Sequence, residues 1–297
     1  MLLSVVMGSI RSVGDLLREW RRRRRMSQLD LAMEAEISAR HLSFLETGRS
    51  QPSRDMLLHL AEQLQIPLRE RNVLLNAAGF ASVFPERQLA DPALDVVRKA
   101  IDVVLTGHNP FPAFAVDRHW TLVASNDAFT PFLGGLDPAL LRPPVNVLRL
   151  TLNPRGLGPR LVNYHEWRSH VLDKLRRQIL VSGDPVLVEL LDEFRNYPML
   201  DGVVGIPASS NDQEFHRLVV PFQLRTETGI LSFFSTTTIF GTPIDITLSE
   251  LSLEAFYPAE AATAEALRKA AATGQKSTPT GRRNLDQIRF SPFLPRR

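Results

Sequence analysis

Apolar residues recur at helical spacing through the first 80 positions of the chain. Val13, Leu16, Leu17 and Trp20 stand at positions i, i+3, i+4 and i+7, which predicts a helix with one buried face. Four further apolar stripes follow, and each begins just after a residue typical of helix starts. These residues are Ser27, Ser38, Ser53 and Pro67. The pattern predicts an all-α unit of five short helices over residues 10–80.

The second and third of these helices predict a helix-turn-helix. Ser27 caps one helix with Asp30 at its third position, a variant of the capping box, and Ser38 caps the next helix after a tight turn. Leu42 and Leu45 face the core from that next helix. The face they leave free carries Arg40, His41, Ser43 and Phe44. Such a face is typical of a helix that lies in the major groove of DNA.

Beyond residue 108 the pattern changes to a mixture of strand-like and helical runs. It predicts one hairpin from Phe114 to Asn126 and a second from Phe215 to Phe240, in which Pro221 favours an edge or a bulged position. Helical stripes are predicted over 161–180, 184–194 and 259–271, and a further helix over 91–106 precedes this region. The stretch from Ile246 to Tyr257 is apolar without a clear period. This part of the chain is therefore predicted to be α+β.

Composition and charge narrow the function classes. The 297 residues are 44% hydrophobic, which suits about two domains. The absence of cysteine excludes disulfides, thiol nucleophiles and cysteine-type zinc sites and fits a reducing cytoplasm. No stretch reaches the roughly 18 consecutive apolar residues of a membrane helix. Residues 1–80 carry 12 Lys and Arg against 9 Asp and Glu, and residues 268–297 carry 8 against 1, so the basic ends favour nucleic acid as a partner.

The N-terminal helices resemble the Xre family of five-helix DNA-binding domains, to which the lambdoid repressors belong. The matching elements are Arg21, the run Ser27-Gln28-x-x-Leu31-Ala32 and the run Leu45-Glu46-x-Gly48-Arg49-x-x-Pro52-Ser53. The resemblance implies a partly buried Arg21–Glu46 pair and a phosphate contact by Gln28. The residues it implies for DNA binding are Arg21, Ser27, Gln28, Ser38, Ala39, Arg40, His41, Ser43, Phe44 and Arg49.

Arg40 is the predicted base-reading residue, because an arginine can donate two hydrogen bonds to guanine O6 and N7. Phe44 suits contact with a thymine methyl group, whereas His41, Ser43 and Arg49 suit phosphates. The alternative is a helical module that binds a protein. The cationic rather than apolar character of the exposed face favours DNA.

One position departs from the family pattern. Glu36 stands in the turn where the family commonly has glycine. A left-handed glutamate costs on the order of 1 kcal/mol, so we expect a slightly strained turn in an otherwise unchanged fold.

The rest of the chain resembles the ligand-binding domain of MmyB-like regulators, which follows an Xre-type domain. The matching strings are Arg40–Arg49, Trp120–Asn126, Trp167–Arg176 and Phe240–Thr247. The predicted order is an Xre-type domain over 10–80, a linker and connecting helix over 81–108, a PAS-like α+β domain over 109–270 and a disordered basic tail over 271–297. The resemblance implies a small apolar ligand, such as a fatty acid, and no other cofactor is expected.

Aromatic residues are the candidates for the wall of a ligand pocket, although each also suits a core position. The candidates, together with one histidine, are Trp120, Phe129, Phe132, Trp167, His170, Phe194, Phe222 and Phe234. Arg168, His170 or Asn126 could anchor a polar head group. Each has a structural alternative, since Asn126 suits a helix cap and the other two suit a solvated helix face.

No catalytic or metal constellation is predicted. His165 and His170 are five residues apart, off a common helix face and unlike a His-Glu-x-x-His metal motif. Gly156-x-Gly158 lacks the third glycine and the preceding strand of a dinucleotide site. We therefore expect a protein that is not an enzyme.

These features together predict a cytoplasmic, sequence-specific transcription regulator that binds a double-stranded operator. A homodimer is expected, because one such module contacts too little DNA for strong specificity. A ligand would shift the balance between arrangements that do and do not bind DNA. Two alternatives stay open: a C-terminal domain that only dimerises, and an enzyme fused to a DNA-binding domain.

Overall fold

The structure is a computed structural model that describes residues 11–200 and 219–274. These residues divide into two compact units, one up to Glu86 and one formed by most of the chain from Arg87 onward. The start of the predicted strand at Phe215, and residues 275–297 of the predicted tail, lie outside the described residues.

The first unit contains the five helices that the sequence predicts. They are α1 (Val13–Arg23), α2 (Gln28–Glu34), α3 (Ala39–Glu46), α4 (Arg54–Gln63) and α5 (Leu68–Ala77). Serine side chains cap the first four helices, at Ser12, Ser27, Ser38 and Ser53. A leucine-rich core around Leu17, Trp20, Leu31, Leu42, Leu45 and Leu60 holds them together. Hydrophobic burial of this core, rather than helix propensity, stabilises helices this short.

Helices α1 and α3 approach each other closely at Gly14. A Cβ atom built on this glycine would lie 2.6 Å from the carbonyl oxygen of Leu45 and 2.7 Å from that of Glu46. Only glycine therefore allows this crossing, which sets how α3 sits on the module.

The second unit combines helices with one five-stranded sheet. Its helices are α6 (Asp95–Gly107), α7 (Val147–Leu152), α8 (Tyr164–Ser182), α9 (Pro185–Arg195), the short α10 (Ile246–Ser249) and α11 (Ala261–Gly274). Its strands are β1 (Ala113–Val116), β2 (Leu122–Ser125), β3 (Phe222–Thr226), β4 (Gly229–Ile239) and β5 (Ser252–Pro258). The strands are antiparallel in the order β2-β1-β5-β4-β3. The predicted PAS-like α+β class is confirmed.

The sheet carries two apolar clusters. Phe114, Phe222 and Phe233 belong to a large cluster with α7, α8 and α9. Ala115 and Leu253 belong to a smaller cluster with α6. Side chains along a strand alternate between the two faces of a sheet, so neighbouring residues of one strand join different clusters.

Three elements differ from the prediction. The aperiodic stretch from Ile246 to Tyr257 contains most of β5, the central strand, whose two faces pack against different apolar clusters, so that the strand lacks a simple alternation. Helix α7 was not predicted, because its six residues are too short to show a helical period. Helix α11 continues to Gly274, so residues 271–274 of the predicted disordered tail are helical.

The predicted edge position beside Pro221 is confirmed, because β3 begins at Phe222 on the sheet edge.

Candidate functional site

The outward face of α3 brings together the cationic and aromatic residues that the sequence predicts. Leu42, Leu45 and Glu46 point into the core, which leaves Arg40 exposed and Phe44 half-exposed on the opposite side. The guanidinium carbons of Arg40 and Arg49 lie 5.3 and 5.8 Å from the centre of the Phe44 ring. Cation–π attraction therefore holds two positive charges side by side on this face. Ser43 and His41 lie half-exposed beside them.

Three of the predicted contact residues shape the helix starts. The hydroxyl oxygens of Ser27 and Ser38 accept hydrogen bonds of 3.1 Å from the backbone N–H groups of Asp30 and His41. Ala39 is half-buried against the core. These positions fix where α2 and α3 begin, and their contact with DNA stays a prediction.

Arg21 is largely buried beneath α3. It donates to both carboxylate oxygens of Glu46, at 2.6 and 2.8 Å, and to the carbonyl oxygen of Met26 at 2.9 Å. Only 10% of its side chain is exposed. The implied Arg21–Glu46 pair is confirmed and makes Arg21 a positioning residue for α3, whereas its contact with DNA stays a prediction.

Glu46 is the point where α1, α2 and α3 meet. The amide of Gln28 donates to its carboxylate at 2.8 Å, and Arg18 donates to its backbone carbonyl at 2.6 Å. Burial raises the pKa of Glu46, but the hydrogen bonds from Arg21 and Gln28 and the nearby arginine charges outweigh it and hold the pKa below its ordinary value. Gln28 is thus placed at the start of α2 by a bond to an ionised carboxylate.

The second unit contains a cavity of about 70 Å³ between the sheet and helices α7 and α8. Its wall is mostly aromatic and aliphatic. Six of the eight predicted ligand-binding residues line it: Trp120, Phe129, Phe132, Trp167, His170 and Phe222. The ring centres of Trp167 and Phe222 lie 5.0 Å apart, and those of Phe132 and Phe233 lie 6.0 Å apart. The sequence therefore identifies part of this wall.

Two predicted residues lie elsewhere. Phe194 is fully buried in α9 with its ring 5.5 Å from that of Tyr197, so it fills the core. Phe234 stacks on Tyr257 at 5.3 Å, because its side chain leaves β4 on the face opposite to that of its neighbour Phe233. Phe233 lines the cavity instead.

Several lining residues were not predicted, and the aromatic and charged ones among them are Phe114, Lys174, Phe233, Glu254 and Phe256. Glu254 and Phe256 are two residues apart on β5 and face the cavity, whereas Leu253 belongs to the other cluster. Alternate residues of a strand share one face of the sheet, which places these two side chains together. The residue types of this segment do not alternate between apolar and polar, so the sequence carries no clear signal for that strand.

The three candidate polar anchors lie in different environments. Asn126 stands at the N-cap position of the 3-10 helix Asp127–Leu133, as predicted, but its side chain makes no capping hydrogen bond. It accepts from the Ala113 N–H at 3.0 Å and donates to the carbonyls of Leu105 and Phe111. Arg168 donates to two carbonyls at the end of α9. His170 alone of the three lines the cavity.

His170 is held neutral. Its ring stacks on Trp167 with centres 5.4 Å apart. Burial lowers its pKa, and the charges of Lys174 and Arg177 lower it further, against a smaller opposing effect of Glu254 and Asp173. At neutral pH the imidazole can therefore donate and accept one hydrogen bond each.

An ion pair between the half-buried Lys174 and the buried Glu254 lies beside His170. The Lys174 ammonium donates to Glu254 at 2.9 Å and stands 4.4 Å from the centre of the Trp120 ring. Glu254 also accepts from the hydroxyl of Thr237 at 2.9 Å. The indole N–H of Trp120 donates to Gln178 at 2.9 Å. The cavity thus has one polar end in an otherwise apolar wall.

In the part of the chain that the structure describes, no helix is long and apolar enough to cross a membrane. Across residues 11–200 and 219–274, no three His, Asp or Glu side chains are grouped to hold a metal ion.

Comparisons with known proteins match two separate parts of the chain, one in each unit. Residues 17–71 match a helix-turn-helix family, and residues 97–270 match the MmyB-like transcription regulator ligand binding domain. A relative in Methanoculleus marisnigri, described as an HTH-type transcriptional regulatory protein, is 37% identical over 120 residues. That match covers 39% of this chain and 38% of the relative, so the chain spans about two fifths of the length of the curated relative.

A solved structure of an RNA-binding Light-Oxygen-Voltage receptor is also similar. It matches over 90% of this chain and 64% of its own length, with 11% identity and a TM-score of 0.22, a likeness too low to support any argument. The two family matches place a DNA-binding helix-turn-helix before a ligand-binding domain. The chain therefore belongs to the family of transcription regulators with an MmyB-like ligand-binding domain.

Proposed function

We propose that this chain is a ligand-responsive, sequence-specific regulator in which a small molecule in the second unit changes the affinity of the first for DNA. The observation that carries the proposal is the aromatic cavity inside the domain whose family is described as ligand-binding. The regulator acts without catalysis, which membership of a regulatory family supports.

On the DNA side, α3 lies in the major groove with Arg40 towards the bases. Its guanidinium is exposed and rests on Phe44, so it is prepared for a planar, bidentate contact with guanine. Arg49 and Gln28 contact the phosphates that fix the register. One module of this size supplies limited specificity, so a homodimer binds two half-sites about one helical turn apart. Such a regulator works in the cytoplasm, where DNA is accessible.

On the ligand side, the wall favours a small, largely apolar molecule, and the polar end of the cavity decides between a carboxylate such as a fatty acid and an uncharged compound. The volume of about 70 Å³ is well below the roughly 300–1,000 Å³ of pockets for drug-sized ligands. The ligand is therefore small, or the walls move apart when it enters. It regulates only if the DNA-binding and non-binding arrangements hold it with different affinity.

The same small volume favours a second candidate function. If the side chains already fill the available space, the second unit only pairs two chains and holds no ligand. The two candidates differ in whether a molecule occupies the cavity and whether that molecule changes DNA binding.

The test is mass spectrometry of an organic extract of the purified protein, compared between two variants. Val147→Phe adds a ring to the cavity wall, and Val103→Phe makes the same change at an exposed site on α6. We expect a near-stoichiometric compound in the unmodified chain and in Val103→Phe, and its loss in Val147→Phe. Adding the compound back should then change the affinity for an operator selected from random duplex DNA.

The ligand-responsive function would be contradicted if both variants yielded the same amount of the compound, or if adding the compound left the affinity for the operator unchanged. Native mass spectrometry of the same samples tests the homodimer, which should persist in both outcomes.

A further inference from the structure

The polar end of the cavity is built mainly by one face of α8. Trp167, His170 and Lys174 are spaced by three and four residues, so they stand on successive turns of that face. Glu254 of β5 closes this end through its ion pair with Lys174. All four residues line the cavity.

One hydrogen-bond donor at this end has no protein partner. The side chain of Trp167 is buried, with 7% exposure, and its Nε1 has no hydrogen-bond partner among the described residues. The second indole of the cavity differs, because Trp120 Nε1 donates to Gln178. Buried donors are nearly always paired, so an unpaired indole N–H in a cavity wall indicates an acceptor supplied from outside the chain.

The charges at this end already cancel. The Lys174 ammonium faces the Glu254 carboxylate, which is only 3% exposed, and His170 is neutral. A ligand carboxylate would place a second negative charge near Glu254 with no further cation among the lining residues. Burying an uncompensated charge is costly, whereas a neutral oxygen gains the Trp167 N–H without that cost.

The backbone at Trp120 also marks this place as specialised. Its φ is +65°, in the left-handed region that a bulky side chain rarely adopts. The bond to Gln178 and the Lys174 ammonium over its ring hold the indole in the cavity wall despite that conformation. Strained residues of this kind concentrate at ligand sites.

We propose, resting on the ligand-binding role proposed above, that the cavity selects an uncharged molecule with an acceptor oxygen, such as a ketone, ester or lactone. Its oxygen accepts a hydrogen bond from the Trp167 indole, and its apolar body lies against the phenylalanine rings. A carboxylate of similar shape is rejected because Glu254 already neutralises Lys174.

Three probes of nearly equal shape separate the effect of the acceptor oxygen from the effect of a negative charge. Acetophenone has a neutral acceptor oxygen, isopropylbenzene has none, and benzoate is a carboxylate at pH 7.5. Binding to the full-length protein labelled with ¹⁵N-tryptophan is followed through the indole N–H resonances of its three tryptophans. We expect acetophenone to move the Trp167 signal downfield and leave Trp20, in the first unit, unchanged.

Acetophenone should bind about three- to tenfold more tightly than isopropylbenzene, because it gains one net hydrogen bond. It should bind more than tenfold more tightly than benzoate, because it carries no charge into the cavity. Trp167→Phe keeps a ring but removes the donor, so it should abolish the preference for acetophenone over isopropylbenzene. Trp120→Phe, which removes the indole already paired with Gln178, should retain that preference.

Glu254→Gln tests the charge argument independently. It leaves Lys174 uncompensated, so benzoate should gain at least tenfold in affinity while acetophenone changes little. Glu260→Gln, the same change at an exposed position, should alter neither. Thermal melting of each variant verifies that it is folded.

The outcomes separate this inference from the function on which it rests. If isopropylbenzene or benzoate binds as tightly as acetophenone, the cavity is a ligand site but its selectivity for a neutral acceptor is wrong. If none of the probes perturbs any cavity resonance, the ligand site itself is contradicted, and the selectivity with it.

Discussion

Arg21 and Glu46 form two hydrogen bonds, of 2.6 and 2.8 Å, although the glutamate side chain has no exposure to solvent. The pair joins the end of α1 to the end of α3, the helix whose outward face carries Arg40. Because Gln28 of α2 binds the same carboxylate, one buried charge positions three helices. The geometry of the outward face of α3 therefore depends on a charge pair buried beneath it.

Arg21→Ala should destabilise the first unit by about 3–5 kcal/mol, because it leaves the buried Glu46 charge without its main partner. The measurement is urea unfolding followed at the indole signal of Trp20, which lies in the core of this unit. Arg22→Ala, at the exposed neighbouring position, is the control and should change the free energy of unfolding by about 0.5 kcal/mol or less. Equal midpoints for the two variants would contradict a stabilising role of the pair.

The same pair predicts how stability depends on pH. The pKa of Glu46 in the folded chain lies below the ordinary value of 4.5, so its ionised form stabilises the fold fully above pH 4.5. That contribution should be lost as the pH falls below 4.5 and passes through the folded pKa. The difference in free energy of unfolding between the unmodified chain and Glu46→Gln should therefore shrink in acid. A difference that stays constant between about pH 6 and pH 3 would contradict the lowered pKa.

The first unit could be predicted from sequence nearly completely. Its caps at Ser27, Ser38 and Ser53 and its leucine stripes are local signals, and each agrees with the fold. Arg21 shows the limit, since its burial depends on where the Glu46 carboxylate comes to lie, 25 residues further along the chain. A resemblance identified the pair, whereas only the structure separates a positioning residue from a contact.

The cavity was less predictable, because it depends on which face of each strand is used. Phe233 and Phe234 are indistinguishable in sequence, yet only Phe233 lines the cavity. Glu254 and Lys174 are 80 residues apart and meet only when β5 takes its central place in the sheet. Pairings between distant segments leave no local pattern, so the polar end could not be derived from sequence.

Gly14→Ala should destabilise the first unit by about 1–3 kcal/mol, because the added methyl group would overlap the carbonyls of Leu45 and Glu46 and push α1 away from α3. Gly107→Ala is the control, since that glycine ends α6 in open space. It should be neutral or slightly stabilising. Thermal unfolding of both variants provides the measurement, and a stable Gly14→Ala protein would show that the two helices can separate without cost.

Glu36→Gly should stabilise the helix-turn-helix by about 1 kcal/mol, because Glu36 has a φ of +52° that glycine adopts without strain. Glu34→Gly removes the same charge from the end of α2, where a glycine costs about 0.5–1 kcal/mol. Chemical denaturation should therefore move the midpoints of the two variants in opposite directions. A shift of both in one direction would assign the effect to charge rather than to backbone strain.

Arg40→Ala should weaken binding to the selected operator by about 1–3 kcal/mol and relax the preference at one base pair, because it removes a bidentate contact to guanine. Gln28→Ala should instead weaken all sequences alike, as the loss of a phosphate contact does. The measurement is the affinity of each variant for the operator and for its single-base substitutions at fixed salt concentration. If Arg40→Ala lowers every affinity by the same factor, Arg40 contacts phosphate. The bases would then be contacted by other residues on the outward face of α3, where Ser43 and Phe44 also lie.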